Sequence, residues 1–183
     1  WESCYRGIYK ANYVIENESL INEIPESFLS SAKKAKFVGE AKFMRALYYF
    51  WITTRYGDAP LTTVIPVDGT GLTKSPQADI YAQIITDLQA AIPVLLDKGS
   101  EDNGRATKGA AQALLGKVHV TRGDFASAEP LLAAVVNDAG GAGITLNDNF
   151  SDIFVTDLNS EIIFATRISG SIEDEYSFTD FWS

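Results

Sequence analysis

The chain is poor in the residues that most metal and redox chemistry needs, with one cysteine and one histidine in 183 residues. A single Cys4 can close no internal disulfide and build no zinc site. Its helical neighbours mark it as a small buried side chain. His119 has no evident Ser and Asp, or Cys, partners for a nucleophilic arrangement, so it reads as a packed or half-exposed helical side chain. No apolar run approaches the ~20 residues that cross a bilayer. Basic clustering is nearly absent too. Beyond Lys33, Lys34 and Lys36 nothing concentrates positive charge, and the net charge is −9. Nucleic acid is therefore not an expected partner, because phosphate neutralisation needs a basic surface.

The acids form no catalytic or metal-binding pattern. Asp148, Asn149, Asp152, Asp157, Asn159 and Glu161 are the densest oxygen ligands. A calcium loop needs a glycine at its sharp turn, and here Phe150, Ile153 and Phe154 interrupt the acids, so they read as turn residues. Glu173, Asp174 and Glu175 are adjacent and read as a solvated run, not as two carboxylates facing across a sugar. Gly140-Gly141-Ala142-Gly143 follows a helix and opens none, so it is a connection and not a phosphate cradle. No metal, no cofactor and no catalysis are expected.

What is present is helical periodicity. Tyr5, Ile8, Asn12 and Ile15 share a face in a first helix over 1–19. The next helix runs from about 28 to 56. Phe37, Ala41, Met44, Tyr48 and Trp51 form one apolar stripe, and Phe43, Leu47 and Phe50 a second, so this helix is covered on both sides. Lys42, Arg45 and Tyr49 read as its wetter side, and Gly57 and Pro60 as its stop. After a loop over 57–75, Ser75-Pro76 reads as an N-cap with proline at the first helical position. Ile80, Ile84, Leu88, Ala91 and Ile92 are the inward stripe of the third helix, which Pro93 bends or ends. Thr107 caps a fourth helix with Ala110, Ala111, Leu114, Leu115 and Val118 inward. A fifth follows the Gly123-Asp124 turn with Ala128, Leu131, Leu132, Val135 and Val136 on one face. Pro130 costs little there if Ser127 is the cap, and kinks the helix if Asp124 is. Beyond Gly141 the period shortens. Ile144 and Leu146 alternate, as do residues 162–168, which predicts short strands.

An internal repeat underlies the helices. Ala46-Leu47 to Gly57-Asp58 is similar to Ala113-Leu114 to Gly123-Asp124. The offset is about 67 residues, close to twice the ~34-residue tetratricopeptide period. Helix pairs of that kind must stack on neighbours to bury their faces. The predicted fold is therefore mainly α: tetratricopeptide-like stacked helix pairs, about five helices, with a small antiparallel β element near the C-terminus. Residues 1–138 form the stack, and 139–183 hold the β element and the start of an irregular region. The chain opens on Trp1 with no basic start and apolar stretch behind it, so it reads as lacking a signal peptide and as cut at both ends.

Several stretches together resemble the SusD/RagB family of outer-membrane nutrient-binding lipoproteins. These are Tyr5, Ile8 and Ala11-Asn12; Glu40-Ala41-Lys42-Phe43-Met44-Arg45-Ala46-Leu47-Tyr48-Tyr49-Phe50; and Tyr56-Gly57-Asp58-Ala59-Pro60-Leu61. Further along come Ile80-Tyr81, Ile84-Ile85, Asp87-Leu88 and Ala91; Gly104-Arg105-Ala106-Thr107-Lys108-Gly109-Ala110-Ala111; Leu114 to Val118; Gly123-Asp124-Phe125; and Glu161-Ile162-Ile163-Phe164. The resemblance implies a non-catalytic glycan- or nutrient-binding component on the cell surface. It implies delivery of an oligosaccharide to a TonB-dependent SusC-like transporter. It also implies membrane attachment only through a lipid anchor upstream of this chain, with much of the ligand site before and after it.

Within the chain, sugars stack on aromatic rings while polar side chains bond their hydroxyls. Trp51 and Tyr48 lie on the buried helix and read as core. Tyr176, Phe178, Phe181 and Trp182 sit in polar company past the last strand, and Tyr176, Phe181 and Trp182 are the candidate ligand-binding residues. The alternative to the uptake role is a generic tetratricopeptide protein–protein interaction scaffold. An all-α glycan-processing enzyme stands further off.

Overall fold

The computed structural model describes residues 1–65, 72–102, 104–137, 144–156 and 159–165. Helix α1 spans Glu2–Glu16 and a short α2 spans Glu18–Glu23. The long α3 covers Ser31–Tyr56. Its first turn is capped twice. Ser30 Oγ accepts from the Lys33 amide at 3.4 Å, and the Glu26 carboxylate accepts from the Ser31 amide at 2.9 Å. Such caps satisfy amides that have no partner inside the helix. Gly57, at φ 71°, ends α3 with its amide bonded to the Thr53 carbonyl.

The chain then forms β1 (Ala59–Pro60), which pairs antiparallel with β2 (Lys74–Ser75). Helix α4 is Gln77–Ala91. Helix α5 is Lys108–Thr121, capped by the Thr107 hydroxyl on the Ala110 amide at 3.2 Å. Helix α6 is Phe125–Val136, and a single turn, α7, is Asp152–Val155. The described residues thus form a mainly helical fold with one small two-stranded antiparallel sheet.

The helices stack in chain order. Helix α3 packs against α1 on one side and α4 on the other, α4 meets α5, and α5 meets α6. The core runs through this stack. Phe43, Ala46, Tyr49, Phe50 and Ile52 come from α3, Ile80, Ile84 and Leu88 from α4, and Ala111, Leu115 and Val118 from α5. Covering α3 on two faces explains its two apolar stripes, because each partner helix needs its own seam.

The loop before α5 is tied to α3 by charge. Lys36 pairs with Glu101, and Arg105 forks onto Glu40, with Nε to Oε1 at 2.9 Å. Lys98 Nζ donates to the carbonyls of Asn159, Ser160 and Ile162 at 3.2, 3.2 and 2.8 Å, which seats residues 159–162 against the stack. Phe164 then meets Phe43 edge-on at 5.1 Å.

The structure corrects several expectations. The sheet lies at residues 59–60 and 74–75, inside the stretch read as loop, because Asp58 and the α4 start bring the two arms of that loop together. Residues 144–146 and 162–165 form no strand. The Thr145 amide instead bonds the Ser160 carbonyl at 3.2 Å, and residues 166–168 lie outside the described residues. Pro76, not Ser75, is the N-cap of α4, and the Asp58 carboxylate accepts from the Gln77 amide at 2.8 Å. Asp124 caps α6 through the Ser127 amide at 3.2 Å, so Pro130 sits inside the helix. There it removes the amide that would bond the Ala126 carbonyl.

Burial also departs from the helical-wheel reading. Arg45 and Tyr49 are buried and not on a wet side, while Trp51 is 38% exposed. Val136 is exposed and Cys4 is half-buried.

Candidate functional site

The most constructed feature of the molecule is a polar clamp built by α1, α3 and α4. On α3, Arg45 and Tyr49 are one turn apart and face the same side. On α1, Tyr5, Asn12 and Glu16 do the same. Arg45 donates to Asp87 of α4 through Nε at 2.8 Å and Nη2 at 2.7 Å. Its Nη1 donates to Asn12 Oδ1 at 2.8 Å and to the Thr63 carbonyl at 3.1 Å. Gln83 Nε2 donates to Asp87 Oδ1 at 3.0 Å. Asn12 Nδ2 in turn donates to the carbonyls of Thr62 at 3.0 Å and Val64 at 3.2 Å.

Tyr49 completes the clamp. Its hydroxyl donates to the Thr62 carbonyl at 2.9 Å and accepts from the Thr62 amide at 2.7 Å. Burial pushes the Tyr49 phenol up from its ordinary value, so the hydroxyl stays a donor. The Tyr5 hydroxyl donates to the Pro60 carbonyl at 2.8 Å, and Glu16 Oε1 accepts from the Ile65 amide at 2.9 Å.

The consequence is that residues 60–65, which run from the end of β1 into a segment without regular structure, have six backbone groups held by side chains: the Pro60, Thr62, Thr63 and Val64 carbonyls and the Thr62 and Ile65 amides. A buried peptide group without a partner costs about 1–3 kcal/mol. Among the described residues no buried side-chain nitrogen or oxygen lacks a hydrogen bond. Sequence reasoning missed this clamp because Arg45 and Tyr49, lying between apolar stripes, look like a solvent face. The available signal was that Asn12 and Arg45 each fall on or beside a stripe that must be covered.

Three other surfaces surround the clamp. At one end Trp1 packs on Tyr5 at 5.1 Å and on Tyr56 at 5.0 Å, leaving Trp1 and Tyr56 half-exposed. Tyr48 meets Trp51 at 5.7 Å. An apolar groove of about 680 Å³ runs between α1, α2 and α3, lined among others by Val14, Ile21, Ile24, Phe37, Met44 and Tyr48. A second groove, more polar, opens between the ends of α3, α4 and α5.

The candidates from sequence fall as follows. Tyr176, Phe178, Phe181 and Trp182 lie outside the described residues. His119 is buried, with Nδ1 3.0 Å from Asp124 Oδ2. Ser127 meets the same carboxylate, its amide at 3.2 Å, and no hydrogen bond among the described residues joins Ser127 to His119, so His119, Asp124 and Ser127 do not assemble as nucleophile, base and acid. Hydrogen bonds from Ser127, helped by His119, hold the Asp124 carboxyl below its ordinary value. Among the described residues no group of three or more His, Cys, Asp or Glu side chains is placed to hold a metal ion. No described helix is long and apolar enough to cross a membrane. Asn147, Asn159 and Glu161 bond one another: Asn147 Nδ2 donates to Asn159 Oδ1 at 3.1 Å, and the Asn147 amide to Glu161 Oε2 at 3.2 Å. These bonds tie Asn147 to the 159–161 segment.

Comparison with known proteins follows this architecture. The sequence model of a SusD-like family, described as starch-binding and associating with the outer membrane, matches residues 1–120. A SusD-like protein of Formosa agariphila, P25, is 29% identical over 95% of this chain and 33% of its own length. A second from that organism, P2, is 30% identical over 84% of this chain and 30% of its own length. The chain therefore spans about a third of the curated relatives it matches. Among solved structures, a laminarin-binding SusD-like protein superposes with a TM-score of 0.76 at 29% identity, covering 90% of this chain and 36% of that one. A structure with xylogluco-oligosaccharide superposes with a TM-score of 0.79 at 27% identity, covering 95% and 36%. With a family match over its first two-thirds and a fold that superposes on a solved SusD-like protein, the chain belongs to the SusD-like family.

Proposed function

We propose that this chain is the helical scaffold of a glycan-binding component of an outer-membrane uptake system, which captures an oligosaccharide and delivers it to a TonB-dependent SusC-like transporter without catalysis. The observation that carries this reading is the clamp. Fixing residues 60–65 with buried charge and amide groups makes a rigid platform, and rigid platforms hold ligand-contacting segments at low entropic cost. Relatives of similar fold bind laminarin and xylogluco-oligosaccharide, which supports a glycan ligand. The family description supports an outer-membrane location. In this reading Tyr176, Phe181 and Trp182 contribute aromatic rings to the ligand arc, and residues 139–183 begin the ligand-binding region.

The test is isothermal titration of the intact protein with maltoheptaose, laminarihexaose and xyloglucan heptasaccharide. Micromolar binding of one of them, lost in Trp182→Ala, is expected. No heat with any glycan, together with failure of the intact protein to co-purify with a large β-barrel transporter from outer membranes, overturns the reading. The 183-residue chain alone is expected to bind glycans only weakly, and micromolar affinity from it alone contradicts the division of the site proposed here.

A further inference from the structure

The groove between the ends of α3, α4 and α5 has no part in the reading above. It encloses about 490 Å³ and is lined by Thr54, Gln77, Ala78, Tyr81, Thr121 and Arg122. No acid is among these residues. Tyr81 is only 7% exposed, and its hydroxyl has no hydrogen-bond partner among the described residues. That oxygen is not sealed in, because no fully buried side-chain oxygen there goes unpaired. It opens to solvent on the groove that its residue lines. The Arg122 guanidinium lies 5.9 Å from the Tyr81 ring centroid, with no carboxylate partner among the described residues.

The remaining groups are fixed in complementary roles. In the first turn of α4 the Gln77 amide is taken by Asp58 and the Asp79 amide by the Pro76 carbonyl, while the Ala78 amide keeps no acceptor. Gln77 Nε2 donates to the Thr53 carbonyl at 2.9 Å, which pins the side chain and leaves its Oε1 uncommitted. Thr54 Oγ1 donates to the Phe50 carbonyl at 2.6 Å, and Thr121 Oγ1 to the Lys117 carbonyl at 2.8 Å. Each threonine has committed its one proton, so what it offers outward is lone pairs.

The groove therefore presents donors at Arg122, Tyr81 and Ala78 beside acceptors at Gln77, Thr54 and Thr121. An anion would meet the lone pairs unfavourably, and an apolar partner would strand the donors. A polyhydroxylated ring, whose every hydroxyl both donates and accepts, satisfies both kinds at once. We propose that this groove is a second saccharide-binding site, on the helical scaffold itself. It shares no residue with the Tyr176, Phe181 and Trp182 candidates, and it rests on the reading that the protein takes glycans.

The test titrates the intact protein with the same oligosaccharides in wild type, Tyr81→Phe, Arg122→Ala and Trp182→Ala. Tyr81→Phe keeps the ring in the core and removes only the hydroxyl. A weaker, millimolar phase beside the principal one is expected. Tyr81→Phe should weaken that phase by about 5–10-fold, the effect of one lost hydrogen bond. Arg122→Ala should abolish it, and both should leave the principal phase and the thermal midpoint unchanged. Trp182→Ala should do the reverse. If no weaker phase exists, or if it survives both substitutions, the proposal fails while the uptake reading stands. If no glycan binds in any phase, both fall. Displacement of the sugar by millimolar sulfate reassigns the groove to anions and also overturns the proposal.

Discussion

Arg45 of α3 reaches Asp87 of α4 through two parallel hydrogen bonds, 2.8 Å from Nε and 2.7 Å from Nη2, with both side chains almost fully buried. The fork geometry of guanidinium and carboxylate gives direction as well as attraction. The third arm of the guanidinium leaves the pair and holds Asn12 and the Thr63 carbonyl. One ion pair thus joins three helices and a non-regular segment.

Removing one member of this pair should be severe. Arg45→Met leaves the Asp87 carboxylate buried and uncompensated, which costs about 3–5 kcal/mol. Asp87→Leu strands the guanidinium at a similar cost. The double variant should lose less than the sum of the two, and urea unfolding of all four proteins measures the difference. Additive losses would mean that the two residues do not act as a pair.

Tyr49→Phe isolates the hydroxyl. It frees the Thr62 amide and leaves the Thr62 carbonyl with the Asn12 bond alone. A loss of about 1–3 kcal/mol is expected for the unpaired buried groups. Hydrogen exchange should speed up at residues 61–65 before it changes in α5. Uniform acceleration across all helices would show that Tyr49 supports the core alone.

At Gly7 helix α1 comes close to α3. A Cβ there would stand 2.2 Å from Tyr48 Cε2, so the tyrosine ring or the helix must move. Overpacking costs about 1–3 kcal/mol, against about 1 kcal/mol gained in helix propensity. Gly7→Ala should be destabilising in the wild type, and Tyr48→Leu should relieve it. Thermal melts of the two backgrounds check this, and an equal penalty in both rules out the ring as the cause.

Acid should weaken the tie between α3 and the loop before α5. Burial raises the Glu101 carboxyl, but the Lys36 and Asp102 hydrogen bonds and the charges of Lys36 and Arg105 outweigh it and hold it below its ordinary value of 4.5. A carboxyl lowered on folding contributes stability above its unfolded value and loses it as pH falls through its folded value. The stability gap between wild type and Glu101→Gln should therefore be constant from neutral pH to about 5 and shrink below about 4.5. A gap that widens in acid would reverse the sign of the argument.

Thr107→Ala should cost about 1 kcal/mol, the usual value of a lost N-cap, because its hydroxyl alone caps the Ala110 amide. Thr107→Ser should restore most of it, and loss without rescue would point to the methyl group and its packing.

The helical stripes of α3, α4 and α5 were readable because burial repeats at the period of the helix, and the caps at Thr107 and Gly57 because local backbone chemistry demands them. The two strands were not readable. A two-residue pairing carries no periodic signal, and its position depends on α3 packing on α4, which brings Ala59–Pro60 against Lys74–Ser75. Residues 144–146 alternate like a strand, yet no neighbour among the described residues supplies a ladder, so local propensity alone does not make a strand there.

By itself the sequence determined the number and order of the long helices, their inward faces and the family they belong to, since each depends on short-range spacing or on motif order. Tertiary structure alone decided that Arg45 and Tyr49 are buried, that Trp51 is not, and that Tyr81 opens on a polar groove. A polar side chain goes inside only when partners from other helices satisfy it, and those partners are separated by 33 and 42 residues in the case of Asn12 and Asp87.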